Sequence, residues 1–381
     1  MEQVFQMSDS SKPRREEIKV IGIGGGGGNA LNHIIRSGVD GVHFIAANTD
    51  IAALGLSEAK TRIILGKEGT RGHGAGADPE VGASAAKESL DEIKSAVTGA
   101  DMVFLTAGMG GGTGTGATPI IAEVSKSIGA LVVAVVTTPF FFEQNQRNEQ
   151  ARKGIAVLKE KVDALLVVEN DKLLAIADKN LSLIDSFKLA DEVLRQAVQG
   201  VTDLILKPGL INVDFADVKT VMMKAGSAIM GIGEGQGEKR AQEAAEAALR
   251  SPLMSTPMKG AKGILFNVTG GEDVKILEIQ QAAEIIRNVS DDDALVIWGH
   301  TIDAALQDKI RITVIATGFT TEKEKKNAGL RANHRGRSGG VILEEADILT
   351  PQDEDLFTVS GVPKTPYDVP SIIRRSQKAA K

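Results

Sequence analysis

Gly108-Met109-Gly110-Gly111-Gly112-Thr113-Gly114-Thr115-Gly116 is the stretch from which the rest of this chain can be read. Glycines alternating with hydroxyl residues directly after an apolar run make a backbone built for close approach. Without Cβ atoms the chain can turn its N–H groups inward as an anion-binding nest, and the hydroxyls of Thr113 and Thr115 add donors. Asp101 to Ala107 (DMVFLTA) reads as a buried strand, and Ala117 to Ile128 (ATPIIAEVSKSI) has the 3.6-residue periodicity of a helix with Pro119 in its first turn. Strand, glycine loop, helix is the order that aims the positive end of a helix dipole at a phosphate. A flexible linker would not be wedged between a buried strand and an amphipathic helix. A P-loop is excluded because no GxxxxGK[ST] occurs, which leaves backbone dipoles and Mg²⁺ to neutralise the phosphates.

The totals bound what such a cradle can belong to. A chain of 381 residues with 42% hydrophobic and 25% charged content has room for two ordinary globular cores, and aromatics at 3% make those cores aliphatic. The net charge of −6 argues against a nucleic-acid or anionic-membrane surface on the body. Absence of cysteine excludes disulfides and thiolate metal sites and fits a reducing compartment. Histidines 33, 43, 73, 300 and 334 show no HExxH spacing, so no protein-built metal site is expected. No apolar run approaches the roughly 20 residues needed to span a bilayer, and the polar N-terminus lacks a signal-peptide apolar region.

Upstream of the cradle, Ile18 to Ile23 (IKVIGI) reads as a buried strand running into Gly24 to Gly28, a second cradle, with Asn29 placed to cap a helix on which Leu31, Ile34 and Ile35 share a face. His33, between two of them, reads as a packing or surface residue. Gly22, Gly24 and Gly27 also satisfy GxGxxG, with Asp50 at the end of the next strand, where a dinucleotide fold holds a ribose hydroxyl. A lone GxGxxG is weak, and a nicotinamide-dependent oxidoreductase has no need of the longer cradle at 108. Gly66 to Gly82 is a glycine-rich loop, followed by a helix from about Pro79 to Val97.

Downstream, Leu131 to Val136 and Ala164 to Val168 are apolar strands, and the longest helix begins near Leu181. Pro208-Gly209 ends it, and Asn212, Asp214 and Asp217 put two carboxylates in or beside the next loop. Residues 220–318 look like a second α/β layer: a loop at Gly231 to Gly237, an alanine-rich helix at Glu238 to Arg250, and strands at Gly263 to Thr269, Ala294 to Trp298 and Arg311 to Thr317, with a helix at Ile276 to Val289. From Thr320 to about Lys364 periodicity is lost and the sequence reads as a disordered linker spanning about 35 to 40 Å.

These motifs, in this order, resemble the tubulin and FtsZ superfamily, and within it the FtsZ family of bacterial tubulin-like cell-division GTPases. The resemblance covers 17–319 and the last dozen or so residues. It implies an α/β fold in which a Rossmann-like GTP-binding domain (17–180) is joined by a long central helix (181–207) to a smaller α/β domain carrying the acidic loop (208–319). A disordered segment (1–16) precedes these, and a disordered linker (320–364) and a partner-binding peptide (365–381) follow. Residue by residue, it implies that Gly25, Gly26, Gly27, Gly28 and Asn29 touch the phosphates beside Gly110 to Gly116 (Gly110, Gly111, Gly112, Thr113, Gly114, Thr115, Gly116), with Asn48-Thr49-Asp50 as a further nucleotide loop. Gly74, Ala75, Gly76 and Ala77 match the loop that senses the γ-phosphate, and Glu143 and Arg147 the pair that contacts the ribose. Asn170, Phe187 and Asp191 match the positions that hold guanine. Phe187 and Asp191 are four apart and share a helix face, where a ring can stack on the base while a carboxylate accepts from N1–H and the 2-amino group. Adenine offers no such donor pair, which favours GTP over ATP. The sequence departs from the family pattern at Gln144-Asn145-Gln146, which replace glycine and basic residues.

The resemblance further implies that Asn212, Asp214 and Asp217 serve the water that attacks the γ-phosphate. From Asp191 to Lys207 the helix runs roughly 24 Å, so this loop lies far from the base its own helix recognises. If catalytic, it acts on the nucleotide of the next subunit, and a head-to-tail contact that does not close generates a filament. The implied cofactors are GTP or GDP with Mg²⁺. The implied partners are further copies of the chain, and membrane-tethering and regulatory division proteins read through Asp368, Pro370, Ile372 and Ile373 of the terminal peptide, where exposed apolar anchors suit a groove. No nucleic acid and no membrane span are expected, and the location implied is the cytoplasm at a midcell ring. A non-hydrolysing GTP-binding scaffold of the same fold stays open as the alternative.

Overall fold

The computed structural model describes residues 16–176, 181–207, 209–251, 254 and 258–319. The expectations for residues 1–15, the linker 320–364 and the peptide 365–381 lie outside them.

The apolar runs form strands because both of their faces are covered. Strands β1 (Ile18–Ile23), β2 (Val42–Asn48), β3 (Thr61–Ile64), β4 (Met102–Gly108), β5 (Leu131–Thr138) and β6 (Ala164–Glu169) are parallel neighbours in the order β3-β2-β1-β4-β5-β6. Ile18, Val20, Leu131 and Val133 face helices α1 (Gly24–Arg36) and α8 (Leu183–Leu206), meeting Leu31, Ile34, Val193 and Ala197. Ile21, Ile23, Val132 and Ala134 face the other way, toward Ile93 and Val97 of α4 (Leu90–Val97) and Ile121 of α5 (Thr113–Ser127). Burial on both sides is why these strands read as unbroken apolar runs. The sheet continues: β7 (Gly226–Gln236) pairs with β6, then β10 (Lys309–Thr317), β8 (Gly263–Gly270) and β9 (Leu295–Ile302) complete ten strands. Helix α8 packs along one face, and its core is shared with Ala228 and Met230 of β7 and Ile315 of β10.

Several expectations are corrected. Residues 231–237 are not a loop but most of β7. A Cβ on Gly231, Gly233 or Gly235 would overlap backbone oxygens of Ala248, Ala244 and Arg240. Alternate glycines thus make one strand face flat enough for α10 (Arg240–Leu249) to lie against it, and glycine composition had disguised a strand. The helix expected over 79–97 is two, α3 (Pro79–Glu88) and α4, broken at Ser89, whose Oγ accepts from the Gly66 N–H at 3.1 Å and donates to the Ile64 carbonyl at 3.3 Å. Helix α1 begins at Gly24, so Asn29 stands inside it and caps nothing. Helix α5 begins at Thr113, four residues before the expected start, so Pro119 is an interior residue and not in the first turn. In both cases the glycines are themselves the helix N-terminus, where the first N–H groups have no intrahelical partner and the cost of glycine is offset by what those groups can bind. Helices α2 (Ile51–Gly55), α6 (Asn145–Lys161), α7 (Asn170–Ile176) and α9 (Phe215–Met222) and strand β3 had no clear sequence signal.

Helix α10 is tied to α11 (Ile276–Asn288) by Arg240, whose side chain is 7% exposed. Its guanidinium donates to Asp273 Oδ2 at 2.6 Å and to both oxygens of Glu278 at 2.7 and 3.1 Å, which hold Glu278 below the usual carboxylate range. Removing the cation leaves Glu278 with the Lys275 N–H at 2.8 Å but without the guanidinium that holds both its oxygens. Arg240→Ala is therefore expected to lower the stability of the folded chain by about 3 kcal/mol, read from the denaturant midpoint at constant m-value.

Candidate functional site

A cavity of about 460 Å³ opens at the carboxyl ends of β1, β4, β5 and β6. This is the point where the strand order reverses, between β1 and β4, and where doubly wound sheets bind ligands. Ile23 at the end of β1 is in register with Ala107 at the end of β4, so the two glycine turns that follow lie side by side. A Cβ on Gly26 would be 3.4 Å from Gly108. Gly25, Gly26 and Asn29 at the start of α1, and Gly111, Gly112, Thr113 and Gly114 at the start of α5, line the cavity floor. Two helix N-termini thus present free N–H groups and their positive dipole ends to one space. Among the described residues no lysine lines it, and Arg147 is the one cationic side chain in its wall.

The remaining phosphate-loop residues support this floor without lining it. Thr115 Oγ1 accepts the Gly110 N–H at 2.8 Å, so of the two cradle hydroxyls only that of Thr113 lines the cavity, 2.6 Å from Thr49 Oγ1. Gly116 and Gly27 are places of close backbone approach, to the carbonyls of Pro79 and Thr106. Gly28 lies on α1 outside the lining, and Asn48 turns its Oδ1 to the Asp50 N–H at 3.3 Å. The 74–77 loop abuts the cradle: Gly74 donates its N–H to the Thr49 carbonyl at 3.1 Å, and the Ala75 methyl lies 2.8 Å from where a Cβ on Gly112 would stand. Gly76 and Ala77 continue that loop with φ of 57° and 62°.

The upper wall carries Glu143, Arg147, Asn170, Phe187 and Asp191, all lining the cavity. Arg147 Nη1 donates to Glu143 Oε2 at 2.7 Å, and Glu143 Oε1 accepts the Phe140 N–H at 3.0 Å. The pair is thus both an i,i+4 ion pair and a cavity wall. Phe187 is 43% exposed, its ring at right angles to that of Phe140 with centroids 5.3 Å apart, so part of its surface is open to a stacking partner. Asn170 Oδ1 is buried with no hydrogen-bond partner among the described residues, an acceptor suited to a base donor. Burial pushes the Asp191 carboxyl up to about 6, against the opposing charge of nearby His33. Gly108 and Met109, which open the glycine stretch, also line the cavity, as do Thr137, Thr138, Pro139, Ala190 and Leu194, which were not assigned a role from sequence, although Thr138 and Gly108 end the two strands flanking the cradle.

Asp50, the acid on which a dinucleotide reading depends, caps α2 by accepting from Ala52 N at 2.8 Å and Ala53 N at 3.2 Å, and does not line the cavity. Asn212, Asp214 and Asp217 do not line it either. They follow α8: Asn212 Oδ1 accepts the Gly209 N–H at 2.7 Å, and Asp214 caps α9 by accepting the Asp217 N–H at 2.8 Å.

Residues 17–178 match the Tubulin/FtsZ family, GTPase domain, and residues 226–320 the FtsZ family, C-terminal domain. The solved FtsZ dimer of M. jannaschii, in its empty form, is 46% identical to this chain, covers 81% of it and 89% of its own length, and superposes with a TM-score of 0.76. The chain belongs to the tubulin/FtsZ family. A point mutant of M. jannaschii FtsZ, with tyrosine in place of a tryptophan, matches at 46% identity over 80% of this chain and 92% of its own, TM-score 0.76. CetZ2 of Haloferax volcanii shares the fold at 20% identity, TM-score 0.67, over 84% of this chain and 98% of its own. The chain is accordingly a tubulin-like GTPase of the kind that binds guanine nucleotides.

Two expectations follow from the upper wall. The native Asp191 carboxyl takes its proton near pH 6, the unfolded one near its ordinary 3.8, so between these values the native state holds more protons and stability falls as pH rises, levelling off above about 6. Asp191→Asn should stabilise the nucleotide-free protein by about 2 kcal/mol at pH 7.5 while weakening GDP binding. Wild-type affinity for GDP should fall roughly tenfold from pH 7.5 to pH 5 as the acceptor is protonated, and calorimetry of the Asn variant should give a much flatter profile. Gln144, with φ 79° and ψ 156°, lies in a region that suits glycine alone. Gln144→Gly is expected to raise stability by about 1–2 kcal/mol, measured as thermal or denaturant unfolding of the nucleotide-free chain.

Proposed function

We propose that this chain is a GTP-dependent self-assembling cytoskeletal protein that forms head-to-tail filaments and a cytokinetic ring, hydrolysing GTP where one copy meets the next. The observation that carries the reading is the separation of the base-binding carboxylate from the acidic loop along a single helix. Asp191 lies in the cavity, whereas Asn212, Asp214 and Asp217 follow the far end of the 24-residue α8, outside the cavity lining. A catalytic pair placed there serves a second copy, and an interface of that kind propagates. Exposed apolar side chains support the same reading: Phe141 beside the ribose wall is 71% exposed, and Leu210 within the acidic loop is 80% exposed.

In this reading residues 17–180 bind the nucleotide and 208–319 carry the acidic loop, joined by 181–207. The N-termini of α1 and α5 hold the phosphates, Asp191 and Asn170 read the guanine, Phe187 stacks on it, and Glu143 and Arg147 hold the ribose. Asp214 and Asp217 of the next copy orient and polarise the attacking water, with Asn212 shaping their loop, and the donors already aimed at the phosphates stabilise the charge that develops. Mg²⁺, carried on the triphosphate, would neutralise part of that charge; among the described residues no group of three or more His, Cys, Asp or Glu could hold a metal. Hydrolysis then weakens the longitudinal contact. The place of action is the cytoplasm at midcell, with the peptide containing Asp368, Pro370, Ile372 and Ile373 docking tethering and regulatory proteins. No helix among the described residues is long and apolar enough to cross a membrane.

The test is GTP turnover per subunit across protein concentration, with light scattering on the same samples. A rate near zero that rises steeply where scattering appears is expected, and a concentration-independent rate would overturn the shared site. Asp214→Ala should keep nucleotide affinity within about twofold while turnover falls by at least 10²-fold.

A further inference from the structure

The acidic loop has no strand of its own, yet it is held against one. His300 donates its N–H to the Ile211 carbonyl at 2.9 Å, an isolated antiparallel bridge on the outer edge of β9. Two residues without a Cβ make the approach possible. A Cβ on Gly209 would overlap the His300 carbonyl oxygen, and one on Gly299 would stand 2.7 Å from Val213 Cγ2 and 3.3 Å from the Ile211 carbonyl oxygen. Val213 is 4% exposed, and the next residue, Asp214, begins α9. The seat beneath is itself anchored: β9 runs in parallel register with β8, Gly299 opposite Asn267, and the buried Asn267 Nδ2 donates to Thr301 Oγ1 at 3.1 Å and Thr269 Oγ1 at 3.0 Å.

We propose that Gly299 is a positioning residue for GTP hydrolysis: the space above it seats Val213, and through Val213 the loop holds Asp214 and Asp217 where they act on the nucleotide of the next copy. This rests on the reading of the acidic loop as hydrolytic. Asp214 is one residue from Val213, and its carboxylate is fixed by the cap to Asp217, so a shift of Val213 moves both acids together. A methyl group added at Gly299 would also stand 3.3 Å from Asn267 Oδ1, and β9 gives little because its ladder to β8 and the Asn267–Thr301 bond hold it. The methyl must lift the loop by a fraction of an ångström to an ångström, a misplacement that costs a positioned catalytic group about 10²-fold.

The experiment uses the full chain and compares Gly299→Ala, Val213→Ala, the double variant and Asp214→Ala. GDP affinity, thermal midpoint, light scattering with GTP, and turnover at saturating GTP are read for each. Gly299→Ala is expected to bind GDP within about twofold of wild type and to scatter light, with kcat reduced about 10- to 100-fold. The double variant should recover kcat to within about threefold, because Val213→Ala vacates the space the new methyl takes. Unchanged kcat in folded Gly299→Ala, or no recovery in the double variant, overturns the proposal. Should Gly299→Ala fail to fold, Val213→Ala alone decides: a several-fold fall in kcat at unchanged GDP affinity supports the seat, and wild-type kcat overturns it. If Asp214→Ala still hydrolyses GTP, the acidic-loop reading itself falls; if Asp214→Ala is inactive while Gly299→Ala is normal, only the seat falls.

Discussion

The adjacency of β1 and β4 in a parallel sheet is the constraint on which the candidate nucleotide cavity depends. Parallel strands deliver their following turns to the same edge, and the register of Ile23 with Ala107 puts the two glycine turns in contact. Because each turn is the first turn of a helix, their juxtaposition brings two sets of unbonded N–H groups and two positive dipole ends to one cavity. In the proposed reading that arrangement stands in for the lysine of a P-loop. It also explains the density of glycine: a side chain at Gly27 would strike the Thr106 carbonyl on β4 and push the cradles apart, and one at Gly116 would strike the Pro79 carbonyl and push α5 off α3.

Around this floor the upper wall is kept ready at some cost to the empty protein. Asp191 is half-buried as an acid whose charge burial disfavours, Asn170 has an unpartnered oxygen, and Gln144 is held in a glycine-like conformation by bonds that Glu143 makes on either side of it. All three lie in or beside the cavity wall, the pattern expected where ligand contacts supply what the free protein lacks. Helix α8 connects this wall to the acidic loop. Its apolar face belongs to a core shared by strands from both ends of the sheet, so it acts as a rigid spacer between Asp191 and the acidic loop.

The sequence was most legible where one physical demand left one solution. Fully apolar runs became the central strands, the glycine turns became the cradle, and Phe187 and Asp191, four apart on a helix, do face the same cavity. It was least legible where glycine serves packing. Residues 231–237 carry the composition of a loop, but the alternation that makes a flat strand face has meaning only when α10 lies against it. The helix starts were displaced for a related reason: propensity counts glycine against a helix, whereas at an N-terminus that binds a ligand the free N–H groups are the purpose. Ser89 broke an apparently continuous helix because its hydroxyl is used by Gly66 and Ile64, 23 and 25 residues away in the chain.

Residue type and spacing were enough to set the chemistry available: two glycine turns built to receive an anion, an aromatic and a carboxylate on one helix face, and an acidic loop beyond that helix. Each of those lies within a single element, and local periodicity reports it. Which of these groups share a space was left to the folded chain. Folding set Asp50 to cap α2, turned the Thr115 hydroxyl onto Gly110 and away from the cavity, and seated Val213 over Gly299. Each of these rests on contacts between segments distant in the chain or on the way a short turn is folded back on itself, and such contacts arise from packing, which no spacing along one segment encodes.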